Sequence, residues 1–194
     1  MFKRQSSVRS LQSSAVVRRG NAVSKSKPKK KVIHLEVINS SRKRISQQDV
    51  KWWVNEICSE LKAITPLQLI SLTVVFLSPT KAQALNLKYR KKNYPTDVLS
   101  FADSPIPNQK DQARQAKKGK ITGELVLCPK VVAEQAKEHN LDFDFEMGYL
   151  VLHGILHLLG FEHENSLAKA RKMFAIQDRI FESLCQRKSR IHSR

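Results

Sequence analysis

Acidic residues are scarce in this chain: 17 Asp and Glu stand against 35 Lys and Arg, for a formal net charge of +18. A surface so poor in negative charge attracts phosphate polymers and anionic surfaces at long range, though charge alone carries no sequence specificity. Long apolar runs are also missing. No stretch reaches the roughly 18 apolar residues of a membrane-spanning helix, so no membrane partner is expected. The first residues lack the apolar core of a secretory signal, because Leu11 to Val17 is interrupted by Gln12, Ser13 and Ser14. Cysteine is rare: Cys58, Cys128 and Cys185 are widely spaced, odd in number and form no Cys-x-x-Cys pair. That excludes a disulfide framework, fits a reducing compartment with free thiols, and offers no local signature of a catalytic cysteine.

What is present is uneven. Residues 1–31 hold ten basic residues and no acidic one, so they carry ten of the eighteen net charges and leave +8 for the rest. The segment is Ser-rich, poor in aromatics and ends in Lys27-Pro-Lys-Lys-Lys31. Such a composition cannot bury enough apolar surface to order itself, and it reads as a disordered basic arm. Three roles are open for it: a non-specific RNA-binding arm, an organelle transit peptide, or a solvated extension.

From residue 32 onwards the pattern becomes that of a packed domain. Val32 to Ile38 alternates as a strand. Ser46-Gln-Gln-Asp49 resembles a capping signal before a helix with Val50, Val54, Ile57 and Leu61 on one face. Trp52 and Trp53 belong to this amphipathic helix and read as packing residues. Leu69 to Leu77, bounded by Pro66 and Pro79, reads as a buried strand, and Thr80 is placed as the cap of a helix reaching Tyr89. Asp97 to Phe101 is a short strand. Asp103 to Gly119 is a long polar loop whose end is basic at Lys117, Lys118 and Lys120. Ile121 to Cys128 is a further strand, and Pro129 opens a helix to His139. Asp144 to Leu159 and Ser166 to Cys185 are helices, with 187–194 as a basic tail. The expected fold class is α+β, a small mixed four-stranded sheet packed with helices, over residues 32–186.

The chemistry is concentrated in His153-Gly-Ile-Leu-His157-Leu-Leu-Gly160-Phe-Glu-His163, which holds three of the six histidines. A lone histidine in an apolar run is most often a core residue with one satisfied hydrogen bond. Three at this spacing are another matter. His153 and His157 are four apart and share a helix face. Gly160 suits the left-handed turn that ends a helix, after which His163 can swing back. Three imidazoles around one zinc ion leave a fourth position open, the pattern of a catalytic site. Zinc peptidases carry a glutamate base beside the first histidine. Here that position is Gly154, which can move no proton, so a peptidase of that type is disfavoured. The nearest carboxylates are Glu162 and Glu164, either of which could orient a ligand.

Three segments together resemble the YbeY family of bacterial metal-dependent endoribonucleases: Leu85-Asn-x-x-Tyr-Arg-x-x-x-x-Pro-Thr-Asp-Val-Leu-Ser-Phe101, Gly123-Glu-Leu-Val-Leu-Cys128, and His153-Gly-x-Leu-His-Leu-Leu-Gly-Phe-Glu-His163. The resemblance spans roughly Val32 to Cys185. It implies one zinc ion held by His153, His157 and His163. It implies hydrolytic cleavage of single-stranded RNA and a cytoplasmic role, or an organellar one if residues 1–31 are a transit peptide. It further implies maturation of ribosomal RNA at the small-subunit 3′ end, ribosome quality control and a small-subunit partner. The family's functional arginine falls on Arg90, and Glu162 stands where the family often has Asp. A permanently charged, forked guanidinium suits a phosphate, whereas an arginine at a helix end is otherwise a surface ion-pair partner. Two other readings stay open at this point: a metallohydrolase of another substrate class, and a non-catalytic ribosome-assembly factor with a structural metal. The expected cleft lies between the histidine helix and Arg90 to Phe101.

Overall fold

The computed structural model describes residues 33–65, 68–102, 120–164 and 166–192. The basic arm and the loop of residues 103–119 lie outside the described residues. The elements run β1 (His34–Asn39), α1 (Gln47–Leu61), β2 (Gln68–Phe76), α2 (Pro79–Arg90), β3 (Val98–Ala102), β4 (Lys120–Leu127), α3 (Pro129–Glu138), α4 (Phe143–Leu158) and α5 (Leu167–His192). This is the strand and helix order expected from the pattern, in an α+β fold.

The four strands form one mixed sheet in the order β1-β2-β4-β3. β1 and β4 run parallel to β2, and β3 runs antiparallel to β4 at the edge. The inner strands bury Leu72, Val74, Phe76, Leu125 and Leu127 on one face, while the other carries Ser71, Thr73, Thr122 and Glu124 before its apolar end at Val75 and Val126. One face carries a small cluster of Val75, Leu99 and Val126 under Leu85 of α2. The other face carries the main core, to which α1, α3, α4 and α5 all contribute.

α4 is the hub of that core. It packs on β3 and β4 and touches α1, α3 and α5. Two glycines allow its close approach. A Cβ on Gly148 would lie 2.2 Å from the ring of Trp53 in α1, and one on Gly154 would lie 2.6 Å from Leu125 Cδ2 in β4. Trp53 is fully buried, stacks on Phe181 of α5 at 5.9 Å and donates Nε1–H to Asp144 at 3.0 Å. Packing is therefore its role, as the amphipathic pattern of α1 implies. The two thiols of Cys58 and Cys185 are pushed up to about 12, chiefly by burial, which leaves them poor nucleophiles.

Strand and helix ends move by a residue or two from the sequence expectation, and two helix ends differ for an identifiable reason. The cap of α2 is Ser78, whose side chain accepts from Lys81 N–H, not Thr80. Proline favours the first helical position, so Pro79 shifts the cap to the residue before it. α5 runs to His192, so the residues read as a basic tail from 187 form its last turns up to that point. Its buried stripe of Ala170, Met173, Gln177, Ile180, Phe181, Leu184 and Lys188 keeps helical spacing throughout. Lys188, 2% exposed, reaches Asp49 at 2.9 Å and Asp144 at 3.0 Å and lies over the Trp52 ring. Arg187 pairs with Glu56 at 3.0 Å and with Glu60. These contacts tie the end of α5 to α1. No helix among the described residues is long and apolar enough to cross a membrane.

Candidate metal centre

His153 and His157 lie one turn apart on one face of α4, where His153 meets Gln177 and Phe174 of α5. The helix then ends in a Schellman turn. Gly160 takes φ +83°, its N–H bonds His157 C=O at 2.9 Å, and Phe161 N–H bonds Leu156 C=O at 3.0 Å. Only a residue without Cβ enters that conformation freely. The reversal returns the chain over the end of α4 and brings His163 back onto the first two histidines, as its spacing from Gly160 implies.

The three imidazoles converge. One candidate ligand nitrogen from each lies within 4.8 Å of the others, and this is the one such group of metal-capable side chains among the described residues. The ring centroids are separated by 4.6, 5.1 and 5.0 Å. The two Nε2 atoms of His153 and His157 face each other at 3.1 Å. Two nitrogens about 2.0–2.1 Å from one tetrahedral zinc ion lie roughly 3.4 Å apart, so this pair is already near ligand spacing. Phe174 of α5 closes one side, 5.3 Å from the His163 ring and 6.5 Å from that of His153.

Burial, and then the neighbouring His153 and His163, bring the His157 imidazole down from 6.5 to about 4. A hydrogen bond with the Phe161 backbone and the charge of Glu164 act more weakly the other way. At neutral pH His157 is therefore unprotonated, the form in which imidazole binds a metal. The donor set of three imidazoles fits a zinc ion.

Glu162 and Glu164 do not join the histidines in the group. Glu162 pairs with Lys169 at 3.4 Å, and Glu164 with Arg90. The latter pair brings the end of α2 to the histidine loop, with Arg90 Nη2 2.5 Å from Glu164 Oε1. Arg90 is held there by its neighbours. Lys91 takes the left-handed φ of 60°, and the N–H groups of Lys91 and Lys92 return to Leu87 and Asn86. The buried Asn86 side chain donates to Tyr94 C=O at 2.8 Å and anchors the connection to β3. Asp97 then accepts from its own strand at Val98 N–H, 2.7 Å, and from Gln135 of α3, 3.0 Å. The end of α2 meets the histidine loop, and β3 packs on the histidine helix.

Sequence reasoning missed one residue of the centre. Gln177 of α5 is fully buried, and its Oε1 lies 3.0 Å from His153 Nδ1. The available signal was a polar side chain in the apolar stripe of α5.

A four-stranded mixed sheet packed with helices, two histidines on one of those helices and a third on the loop that follows it, define an α+β protein with a histidine triad that could hold a metal ion. The family model described as Endoribonuclease YbeY matches residues 36–185. A relative of that description from Bdellovibrio bacteriovorus is 42% identical over 157 residues, covering 79% of this chain and 96% of that protein. Another, from Thermodesulfovibrio yellowstonii, is 36% identical over 166 residues, covering 78% and 98%. The solution structure of TM1509 from Thermotoga maritima is similar to this fold, with a TM-score of 0.51 and 26% identity over 76% of this chain and 87% of that one. The chain belongs to the YbeY family.

Proposed function

We propose that this chain is a zinc-dependent endoribonuclease acting on single-stranded RNA. His153, His157 and His163 hold one zinc ion, and Arg90 contacts the phosphate that is cleaved. The observation that carries this reading is the convergence of three imidazoles beside a rim guanidinium in a chain whose relatives are described as endoribonucleases.

The division of labour follows from the residues. His153, His157 and His163 would hold a zinc ion without neutralising its charge, and the ion would supply Lewis acidity at a phosphate oxygen. Phosphodiester cleavage builds negative charge on the phosphate oxygens. Arg90 offers two N–H groups in a planar fork to those oxygens and is charged at every working pH. Glu164 keeps the guanidinium at the rim until an anionic substrate competes for it. Gly154 provides no base, which separates this centre from that of the zinc peptidases.

The finer assignment is ribosomal RNA processing in the cytoplasm, at the 3′ end of the small-subunit RNA, together with ribosome quality control at the small subunit. The net charge of +18 favours such a polyanionic partner. Residues 1–31 add sequence-independent affinity for the RNA backbone in this reading. The test offers zinc-loaded protein a single-stranded RNA, an RNA duplex and casein. Internal cleavage of the single strand alone is expected. Casein cleavage, or zinc binding with no RNA cleavage, overturns the proposal.

A further inference from the structure

The centre is built by two helices, and the second lies outside the histidine motif. Its contribution is a hydrogen bond whose direction matters. His153 Nε2 faces His157 Nε2 at 3.1 Å, so Nε2 is the nitrogen turned into the centre. To bind a metal it must present a lone pair, which places the imidazole proton on Nδ1. Nδ1 lies 3.0 Å from Gln177 Oε1, an atom that can only accept. The reversed amide would offer N–H to Nδ1, force the proton onto Nε2 and block the ligand position.

The same amide carries a cost. Gln177 Nε2 is buried and has no hydrogen-bond partner among the described residues. A buried donor without a partner destabilises the fold. Its neighbours on the buried face of α5, Met173, Ile180, Phe181 and Leu184, are all apolar. A leucine or methionine at 177 would continue that stripe and remove the cost. Packing therefore does not explain the amide, whereas the proton on His153 does.

We infer that Gln177 is a positioning residue of the metal centre: its side-chain carbonyl fixes His153 in the tautomer that turns an unprotonated Nε2 to the ion. Phe174, one turn earlier on α5, lies against the His153 and His163 rings and limits their rotation, so α5 sets both proton and ring plane. The inference rests on the metal-centre reading proposed above.

The experiment compares full-length wild type with Gln177→Leu and Gln177→Glu. Zinc affinity is read by competition with a chromophoric chelator, and the stability of the zinc-free proteins by thermal melting. The tautomer of His153 is read from long-range 1H–15N correlations of the zinc-loaded proteins. Loss of a partner to a ligating histidine typically lowers metal affinity about 10- to 100-fold. Gln177→Leu is expected to show that loss while its zinc-free form melts at or above the wild-type temperature. Gln177→Glu keeps an acceptor for the Nδ1 proton and is expected to restore wild-type affinity. Wild-type His153 is expected to be protonated at Nδ1, a result independent of whether either variant folds.

Three outcomes overturn the inference: zinc affinity of Gln177→Leu within about twofold of wild type, equal losses in the Leu and Glu variants, or a wild-type His153 unprotonated at Nδ1. In each of these wild type still binds zinc, so the metal-centre reading survives. Wild type that binds no zinc overturns both.

Discussion

The guanidinium of Arg90, the last residue of α2, lies 2.5 Å from the carboxylate of Glu164, the residue directly after the third histidine. The pair joins two segments separated by 74 positions and puts a permanent positive charge at the rim of the centre. Both side chains are substantially exposed, at 38% and 59%, so the pair adds little stability. Its value lies in where it holds the charge.

Arg90→Ala is accordingly expected to leave zinc content unchanged and to alter stability by about 1 kcal/mol or less. Single-turnover RNA cleavage is expected to fall about 100- to 1000-fold, the usual loss for one preorganised electrostatic donor. Arg90→Lys keeps the charge without the fork and restores only part of the rate. Normal cleavage by a zinc-loaded Arg90→Ala protein would remove Arg90 from the mechanism.

Gly154 has a structural reason as well as a chemical one. A Cβ there would sit 2.6 Å from Leu125 Cδ2 and 3.1 Å from Ser100 Oγ, so α4 rests directly on the sheet. Gly154→Ala is expected to lift the histidine helix, costing about 1–3 kcal/mol as overpacking does, and to weaken zinc binding with it. Gly154→Glu, which would write the peptidase motif into the chain, is expected to fold poorly and to show no peptidase activity. Thermal melting and a casein assay check both.

Lys188 gives a prediction for the end of α5. Its ammonium is buried between Asp49 and Asp144, and burial raises the pKa of Asp144 despite the ion pair. Lys188→Ala takes the buried cation away from two carboxylates and is expected to destabilise the fold by about 3 kcal/mol, measured by denaturant unfolding. A dispensable tail would instead tolerate the change within about 0.5 kcal/mol.

His157 makes stability depend on pH. His157 titrates near 6.5 when unfolded and at about 4 when folded. Between those values the unfolded chain binds the extra proton. The contribution of His157 to the stability of the zinc-free protein is therefore fully present above about pH 6.5 and is lost as pH drops towards 4. Zinc affinity declines as pH approaches about 4, where protons compete for His157. In His157→Gln the part of the acid-side loss due to this residue is expected to disappear from the pH profile of melting temperature.

Local signals carried much of this architecture. The three histidines, the glycine at the bend and the amphipathic face of α1 are written in spacings of three and four, and the folded chain keeps them. What could not be read lies in contacts between distant segments. Gly154 could be seen to lack a base, but its reason is Leu125, on another strand. The Arg90–Glu164 contact depends on how α2 and the histidine loop meet across the sheet. Gln177 stands in plain view as a polar residue in the apolar stripe of α5, yet its partner lies on α4. Ending α5 at Cys185 puts Lys188 in a basic tail instead of on that stripe, and its partners lie on α1 and α4.

The most direct test of the account is the zinc content and single-turnover cleavage of an end-labelled single-stranded RNA by wild type and His157→Ala. The wild-type protein is expected to carry about one zinc ion per chain and to produce internal fragments, and chelation is expected to stop the reaction. His157→Ala is expected to lose most of its zinc and its cleavage while its circular dichroism stays that of the folded chain. Stoichiometric zinc and undiminished RNA cleavage in His157→Ala would contradict the account.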